Sequence, residues 1–74
     1  MKLGTRVVLL DMDDDGKLVE SSTFGKIVGY AHALSTDESQ MIPLFLVELE
    51  KGSYLQTRMF INKIPVHADN LRKV

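Results

Sequence analysis

The stretch Phe24-Gly25-Lys26-Ile27-Val28-Gly29-Tyr30 decides the fold of this chain. Its two glycines interrupt a run that is otherwise rich in apolar and β-branched residues. Glycine inside a strand marks a bulge, a sharp bend or the close approach of another backbone. A strand that bends in this way can carry a small sheet around until it closes. The stretch therefore predicts the curved strand of a small β-barrel, with the other strands arranged around it.

The length and composition predict a single globular domain over residues 1–74. A chain of 74 residues has room for one core, and a hydrophobic content of 45 % argues against disorder. Domains of this size lie near the lower limit for independent folding and usually gain stability from a staple or a partner. The absence of cysteine excludes a disulfide and a thiolate metal site, and it suits a reducing cytoplasm.

The charge and hydropathy patterns favour a soluble cytoplasmic protein. A net charge of −1 provides no bulk attraction to nucleic acid or to an anionic membrane surface. The longest apolar run, residues 7–10, is far too short to cross a membrane. The aspartates that follow it end any signal-like region early. We therefore expect no membrane association.

Alternation and turn residues predict five strands separated by polar connections. The predicted strands cover residues 5–10, 25–34, 44–50, 54–61 and 71–74. Residues 12–20 and 35–40 are predicted loops, with at most brief pairing at Leu18 and Val19. Lys51-Gly52 is a predicted tight hairpin turn into the fourth strand. Pro65 is expected to interrupt the chain, and residues 68–70 to form one 3₁₀ turn before the last strand.

The alternation divides the apolar side chains into two sets. The predicted core set is Val7, Leu9, Ile27, Phe45, Val47, Leu49, Leu55, Met59, Ile61, Val66 and Leu71. The set on the opposite parity is Val8, Leu10, Val28, Leu34, Leu44 and Leu46. One small barrel cannot enclose both sets, so the second set is a predicted interface for a protein partner or for a second copy of the chain. The alternative is that the segments around Leu18-Val19 and Met41-Ile42 fold over these side chains and cover them.

The order of these elements resembles an SH3-like small barrel. The segment Gly25-x-Ile27-x-Gly29 is similar to KOW-type domains of translation and transcription proteins. The opening Gly4-x-x-Val7, Pro43 ahead of Leu46-Val47 and the tail from Asp69 to Val74 are similar to small accessory subunits of photosynthetic electron-transfer complexes. Peptide-binding SH3 domains fit poorly, because their groove needs a tryptophan and a tyrosine cluster, and this chain has no tryptophan. The resemblance implies an all-β, five-stranded barrel that acts as a non-catalytic binding module, and it fixes no ligand.

Nucleic acid is an alternative partner, although the net charge disfavours it. The candidate basic and aromatic residues are Lys26, Tyr30, His32, Tyr54, Arg58 and Phe60. The first three share one parity of the second strand, and the last three share one parity of the fourth. If the two faces adjoin, they form a modest stacking patch, and otherwise they are ordinary exposed side chains.

A calcium site is the second alternative. Asp11, Asp13, Asp15 and Gly16 reproduce the first half of an EF-hand loop, but Ser22 stands where the bidentate glutamate belongs, and strands flank the loop. The simpler interpretation is a solvated acidic connection. His32 and His67 have no third ligand nearby in the sequence, and no nucleophile elbow or phosphate-binding glycine loop is present. We therefore expect no catalytic activity and no cofactor.

Overall fold

The computed structural model describes residues 1–52 and 62–74, which form one antiparallel β-sheet. The strands are β1 (Arg6–Met12), β2 (Leu18–Leu34), β3 (Met41–Leu49), β4 (Lys63–Val66) and β5 (Leu71–Lys73). Their order across the sheet is β4-β3-β2-β1-β5, and a 3₁₀ turn, Ala68–Asn70, leads into β5. Within the described ranges, no helix is long and apolar enough to cross a membrane. The predicted all-β class and the 3₁₀ turn before the last strand are confirmed.

The long strand β2 is the centre of the sheet and pairs with a different neighbour along each half. Its first half pairs with β1, from Leu18 opposite Met12 to Lys26 opposite Arg6. Its second half pairs with β3, starting at Gly25 and continuing to the end of the strand. The predicted loop over residues 12–20 was too long, because β1 and β2 continue pairing almost to the Asp-Gly turn.

The two glycines in β2 have different roles. Gly25 is buried against the backbone of β3, where no side chain would fit. Gly29 has room for a side chain, but it follows a β-bulge, since the pairing with β3 shifts register between Ile27 and Gly29. Of the alternatives that a glycine in a strand indicates, Gly25 therefore shows a close approach and Gly29 adjoins a bulge. The bulge exchanges the two faces of the strand, because an extra residue reverses the alternation beyond it.

The core lies on one face of the sheet and draws on all five strands. Val7, Ile27, Val47, Leu49 and Leu71 are buried together, with Leu9, Phe45, Ile64 and Val66 packed against them. Every predicted core residue in the described ranges belongs to this group. Leu55, Met59 and Ile61 lie outside the described residues. Ile64 joins the core although the sequence interpretation placed it in an interruption.

Proline is better tolerated than the sequence interpretation allowed. Residues 64–66, predicted to break the chain, form β4 together with Lys63, and Pro65 lies opposite Leu46 of β3. The position is compatible with proline because β4 ends the strand order, so its backbone needs a partner on one side only. Pro43 likewise lies inside β3, beyond the last residue that pairs with β4. The strand predicted at 54–61 lies outside the described residues.

Candidate interaction surface

The ends of β2 and β3 extend beyond the rest of the sheet as a two-stranded arm. We define the arm as residues 31–34 paired with residues 41–44. Paired contact with β1 ends at Lys26, and paired contact with β4 ends at Phe45. Among the described residues, no strand therefore borders the arm on either side. Isolated two-stranded ribbons are marginally stable in water, so an arm of this kind gains little support from the rest of the sheet.

One face of the arm exposes large apolar side chains. We call it the arm face, and it consists of Tyr30, His32, Leu34, Met41 and Pro43. Tyr30, Leu34 and Met41 are each 59 % exposed, although their neighbours across the strands are also apolar. At its base the face joins the core, because Tyr30 contacts Phe45 with ring centroids 5.8 Å apart. The arm face is therefore an outward continuation of the hydrophobic core.

The opposite face of the arm is built from smaller side chains. Ala31 and Ala33 alternate on β2 with the residues of the arm face, and their partners Leu44 and Ile42 lie on β3. All four are half-buried. The arm consequently carries apolar side chains on both faces, and none of its residues is an acid, a lysine or an arginine.

A depression of about 630 Å³ adjoins the arm face and brings together both histidines of the chain. Tyr30, His32, Pro43 and Phe45 line it from the sheet, and His67 lines it from the turn after β4. The His67 ring is held locally, because its Nδ1 accepts a hydrogen bond of 3.0 Å from the backbone N–H of Asp69. Sequence spacing did not predict that these residues would lie together. His67 is positioned by β4, a strand that the sequence analysis did not predict.

The six residues predicted as an interface do not form one surface. Leu34 lies on the arm face, whereas Leu44 lies on the opposite side and Leu46 shares that side as the partner of Gly29. Leu10 is half-buried near the end of β1, and Val28 is half-buried at the bulge in β2. The bulge is the reason for the difference, because it moves Leu34 to the face that unbroken alternation assigned to the other set.

Val8 corrects the prediction most clearly, because it is fully buried within the chain. Its direct cross-strand neighbours are Phe24 on β2 and Arg72 on β5, both on the same face of the sheet. The guanidinium of Arg6 stacks over the Phe24 ring at 4.6 Å from its centroid. Long side chains with apolar stems can cover an apolar neighbour while their charged ends stay in water. Val8 is thus buried within the chain and is unavailable to a partner.

Within residues 1–52 and 62–74, the face of the sheet opposite the core carries three ion pairs. Arg6 pairs with Glu50 at 3.1 Å, Arg72 with Glu20 at 3.1 Å, and Lys26 with Glu48 at 3.9 Å. All six side chains are about half exposed, so each pair contributes little to stability. These cations have acidic partners, which reduces their attraction for phosphate.

The predicted basic and aromatic patch is not assembled on β2. Lys26 lies opposite Glu48, and Tyr30 lies opposite Phe45. Residues 45 and 48 of β3 point to opposite faces, so Lys26 is separated from Tyr30 and His32 by the thickness of the sheet. The expectation that the three share a face was wrong, and the bulge is again the cause. Tyr54, Arg58 and Phe60, the remaining nucleic-acid candidates, lie outside the described residues.

The acidic connection between β1 and β2 is a tight turn organised by Asp13. Its Oδ1 accepts hydrogen bonds from the backbone N–H groups of Asp15 at 2.9 Å and Lys17 at 2.8 Å. Gly16 completes the turn with a φ of 81°. Asp11, by contrast, lies in β1 opposite Val19. In residues 1–52 and 62–74, no group of three or more acidic or histidine side chains is arranged to hold a metal ion.

The loop at the tip of the arm, residues 35–40, is organised by the carboxylate of Asp37. Asp37 Oδ1 accepts hydrogen bonds from the hydroxyls of Ser35 at 2.6 Å and Ser39 at 2.7 Å, and from the Ser39 backbone N–H at 3.1 Å. The hydroxyl of Ser35, then that of Ser39, lowers the pKa of Asp37 from 3.8 to about 2. These bonds favour the ionised form of the Asp37 carboxyl over the protonated form.

A second cavity, of about 660 Å³, lies at the other end of the core. Leu9 of β1 lines it together with Ile64 and Val66 of β4. These strands are not neighbours, since β3 and β2 lie between them in the sheet. The sheet must therefore curve for the three side chains to border one space.

Comparison of the chain with family models, with curated proteins and with solved structures finds no match.

Proposed function

We propose that this protein is a non-catalytic, cytoplasmic interaction module that binds a protein partner or a second copy of itself through the arm. The observation that carries the proposal is the exposure of Tyr30, Leu34 and Met41 together on one face of an otherwise unsupported ribbon. Contiguous apolar side chains that remain exposed on a small domain mark an interaction site. Burial of this face against another protein would also stabilise the arm itself.

The chemistry of the arm favours protein over nucleic acid as the partner. The arm has no lysine or arginine to contact phosphate, and Lys26 lies on the other side of the sheet in a pair with Glu48. The depression beside the arm is mainly apolar, with Tyr30 and Phe45 at its base. Aromatic and aliphatic side chains of this kind dominate the buried centres of protein interfaces.

We further propose that the sheet closes into an SH3-like barrel. Support comes from the long strand β2, which joins two hairpins at Gly25, and from the space that Leu9 shares with Ile64 and Val66. A sheet in which β1 and β4, separated by two strands, border one cavity is strongly curved. Barrel closure would leave the arm as the part of the sheet that projects beyond the wall.

Site-specific photocrosslinking tests the interaction function. A photoreactive amino acid at Leu34 should capture a protein, either another copy or a partner, in cells that express the chain naturally. The same amino acid at Asp14, an exposed position on the opposite hairpin, provides the control. Capture from Leu34 should disappear when Met41→Glu is added, because a buried carboxylate on the arm face would oppose association.

A matched variant tests whether capture depends on the arm or on any exposed apolar side chain. Met12 is 68 % exposed but lies at the end of β1, away from the arm. Met12→Glu should leave capture from Leu34 unchanged. Equal capture from Leu34 and Asp14, or no capture from Leu34 at all, would show that the arm is not an interaction site.

A further inference from the structure

The edge of β2 along the arm carries backbone groups that have no strand partner in the described part of the chain. At the tip, the Ser35 N–H donates to the Gln40 carbonyl at 2.9 Å, so this pair is hydrogen-bonded. Hydrogen-bonded and non-hydrogen-bonded pairs alternate in an antiparallel ladder. The pair of His32 with Pro43 is therefore non-hydrogen-bonded, which agrees with the missing N–H of proline.

This alternation fixes which groups point away from β3. The N–H and C=O groups of Tyr30, His32 and Leu34 are directed to the open edge, whereas those of Ala31 and Ala33 are used within the arm. The chain before β1 runs beside the start of this region, where Gly4 N–H bonds the carbonyl of Ile27 and the Tyr30 hydroxyl lies 3.5 Å from the Met1 carbonyl oxygen. The open edge thus offers alternating donors and acceptors to another extended strand.

The other edges of the sheet carry features that discourage pairing. The outer side of β3 along the arm contains Pro43, β4 contains Pro65, and β5 contains Arg72 and Lys73. Proline and charged side chains are the usual means by which edge strands avoid pairing with other chains. The edge at residues 31–34 has neither proline nor a lysine, arginine or carboxylate. The side of β2 before Gly25 and the outer side of β1 beyond Leu9 also lack a strand neighbour in the described ranges, but they carry Glu20 and Asp11. Among the described edges, the one at residues 31–34 therefore lacks both kinds of protection.

We propose that this edge of β2 pairs in antiparallel fashion with the same edge of a second copy, centred on His32. This inference rests on the proposed function and names the partner. In that register His32 bonds His32 of the second copy, and Tyr30 bonds Leu34 of the second copy, so every open N–H and C=O group is used. The two sheets become one continuous sheet about a two-fold axis, and the two arm faces become a single apolar surface.

The side chains suit this register. Directly opposite residues lie on the same face of a sheet, so Tyr30 packs beside Leu34 of the second copy on the arm face. On the other face, Ala31 lies opposite Ala33 of the second copy, where two methyl groups fit at the short spacing of a non-hydrogen-bonded pair. In this register, no lysine, arginine or carboxylate lies opposite the same residue of the second copy. A register centred on Ala33 would leave the groups of Tyr30 unused.

Analytical ultracentrifugation of the full chain tests the pairing. The wild-type protein should dimerise, and His32→Pro should weaken the dimer about ten-fold or more, because it removes one edge donor from each copy. The substitution leaves the ladder with β3 intact, since that N–H is not used there. His32→Gln, which keeps the N–H, should still dimerise. Circular dichroism establishes that each variant is folded.

Cysteine pairing tests the register without relying on the proline variant. The chain has no native cysteine, so engineered thiols report single positions. An oxidised mixture of Ala31→Cys and Ala33→Cys chains should form the mixed dimer faster than either variant forms its own dimer, because position 31 faces position 33.

The outcomes distinguish this inference from the proposed function. A wild-type chain that stays monomeric at its highest soluble concentration, or a mixed dimer that forms no faster, overturns self-pairing. If the monomeric chain still captures another protein from Leu34, the interaction function stands with a different partner. If Leu34 captures nothing, both the self-pairing and the interaction function are overturned.

Discussion

Gly25 lies so close to Glu48 that a Cβ atom on the glycine would be 2.6 Å from the glutamate carbonyl oxygen. The same Cβ would be 2.7 Å from a methyl group of Val47. Neither neighbour can move freely, since one is backbone and the other belongs to the core. The contact explains why the strand that joins both halves of the sheet has no side chain at this point.

The two glycines of β2 should respond differently to alanine. Gly25→Ala should destabilise the protein by about 1–3 kcal/mol, because the methyl group overfills the contact with β3. Gly29→Ala should change stability by less than about 1 kcal/mol, since its Cβ would meet Leu46 at 3.6 Å, an ordinary contact distance. Urea unfolding of both variants measures the difference. Equal losses would contradict the close approach at Gly25.

Val8 should behave as a core residue. Val8→Ala should cost about 2 kcal/mol, because it removes two buried methyl groups and leaves a space under Phe24 and Arg72. Val19→Ala, at a position that is 41 % exposed on the neighbouring strand, should cost less than about 0.5 kcal/mol. Thermal or urea unfolding provides the comparison. If Val8→Ala lowers the free energy of unfolding no more than Val19→Ala does, Val8 is not a core residue.

Asp13 should matter more than its acidic neighbour. Asp13→Ala should lower the free energy of unfolding by about 1 kcal/mol, because two backbone N–H groups lose their acceptor. Asp13→Asn keeps an oxygen at the same place and should cost less. Asp14→Ala is the control, as Asp14 is exposed. If Asp13→Ala and Asp14→Ala have the same stability, Asp13 does not organise the turn.

The tip of the arm should be sensitive to acid. The folded pKa of Asp37, about 2, lies below the ordinary 3.8 because the hydroxyl of Ser35 and then that of Ser39 stabilise the ionised form. The contribution of this group is complete above pH 3.8 and is lost as the pH falls through about 2. NMR titration should therefore give a midpoint near 2 for the Asp37 carboxyl, with Ser39 N–H shifting in parallel.

The control for the tip is removal of its strongest hydrogen-bond donor. Ser35→Ala should raise the Asp37 midpoint towards 3.8, while Thr36→Ala should leave it unchanged. A wild-type midpoint at 3.8 would mean that the Ser35 and Ser39 bonds do not form in solution.

Sequence reasoning located β1, β2, β3, β5 and the described part of the core, but not β4, because the first group follows local alternation. Val7, Ile27, Val47 and Leu71 were assigned correctly, since apolar residues at every second position have one buried face available. The glycine-rich stretch does contain a close approach and a bulge, two of the features that glycine in a strand indicates.

The candidate site could not be predicted in the same way, because the bulge has no unique signature in the sequence. One extra residue between Ile27 and Gly29 reverses every later assignment on β2, which separated Lys26 from Tyr30 and moved Leu34 to the arm face. The edge position of Pro65 was also invisible, since it depends on the order of strands in the sheet. Long-range pairing thus decides what local periodicity leaves open.

The division of β2 between two neighbours has a consequence for how the molecule opens. Among the described strands, Gly25 and Lys26 are the only residues of β2 with a strand partner on both sides, while either half of β2 is tied mainly to one neighbour. Each hairpin can therefore fray from its own tip without disturbing the other, until the opening reaches this crossing point. The amide hydrogens of Gly25 and Lys26 should exchange only when the whole domain unfolds. These two residues would then couple the two hairpins into one cooperative unit.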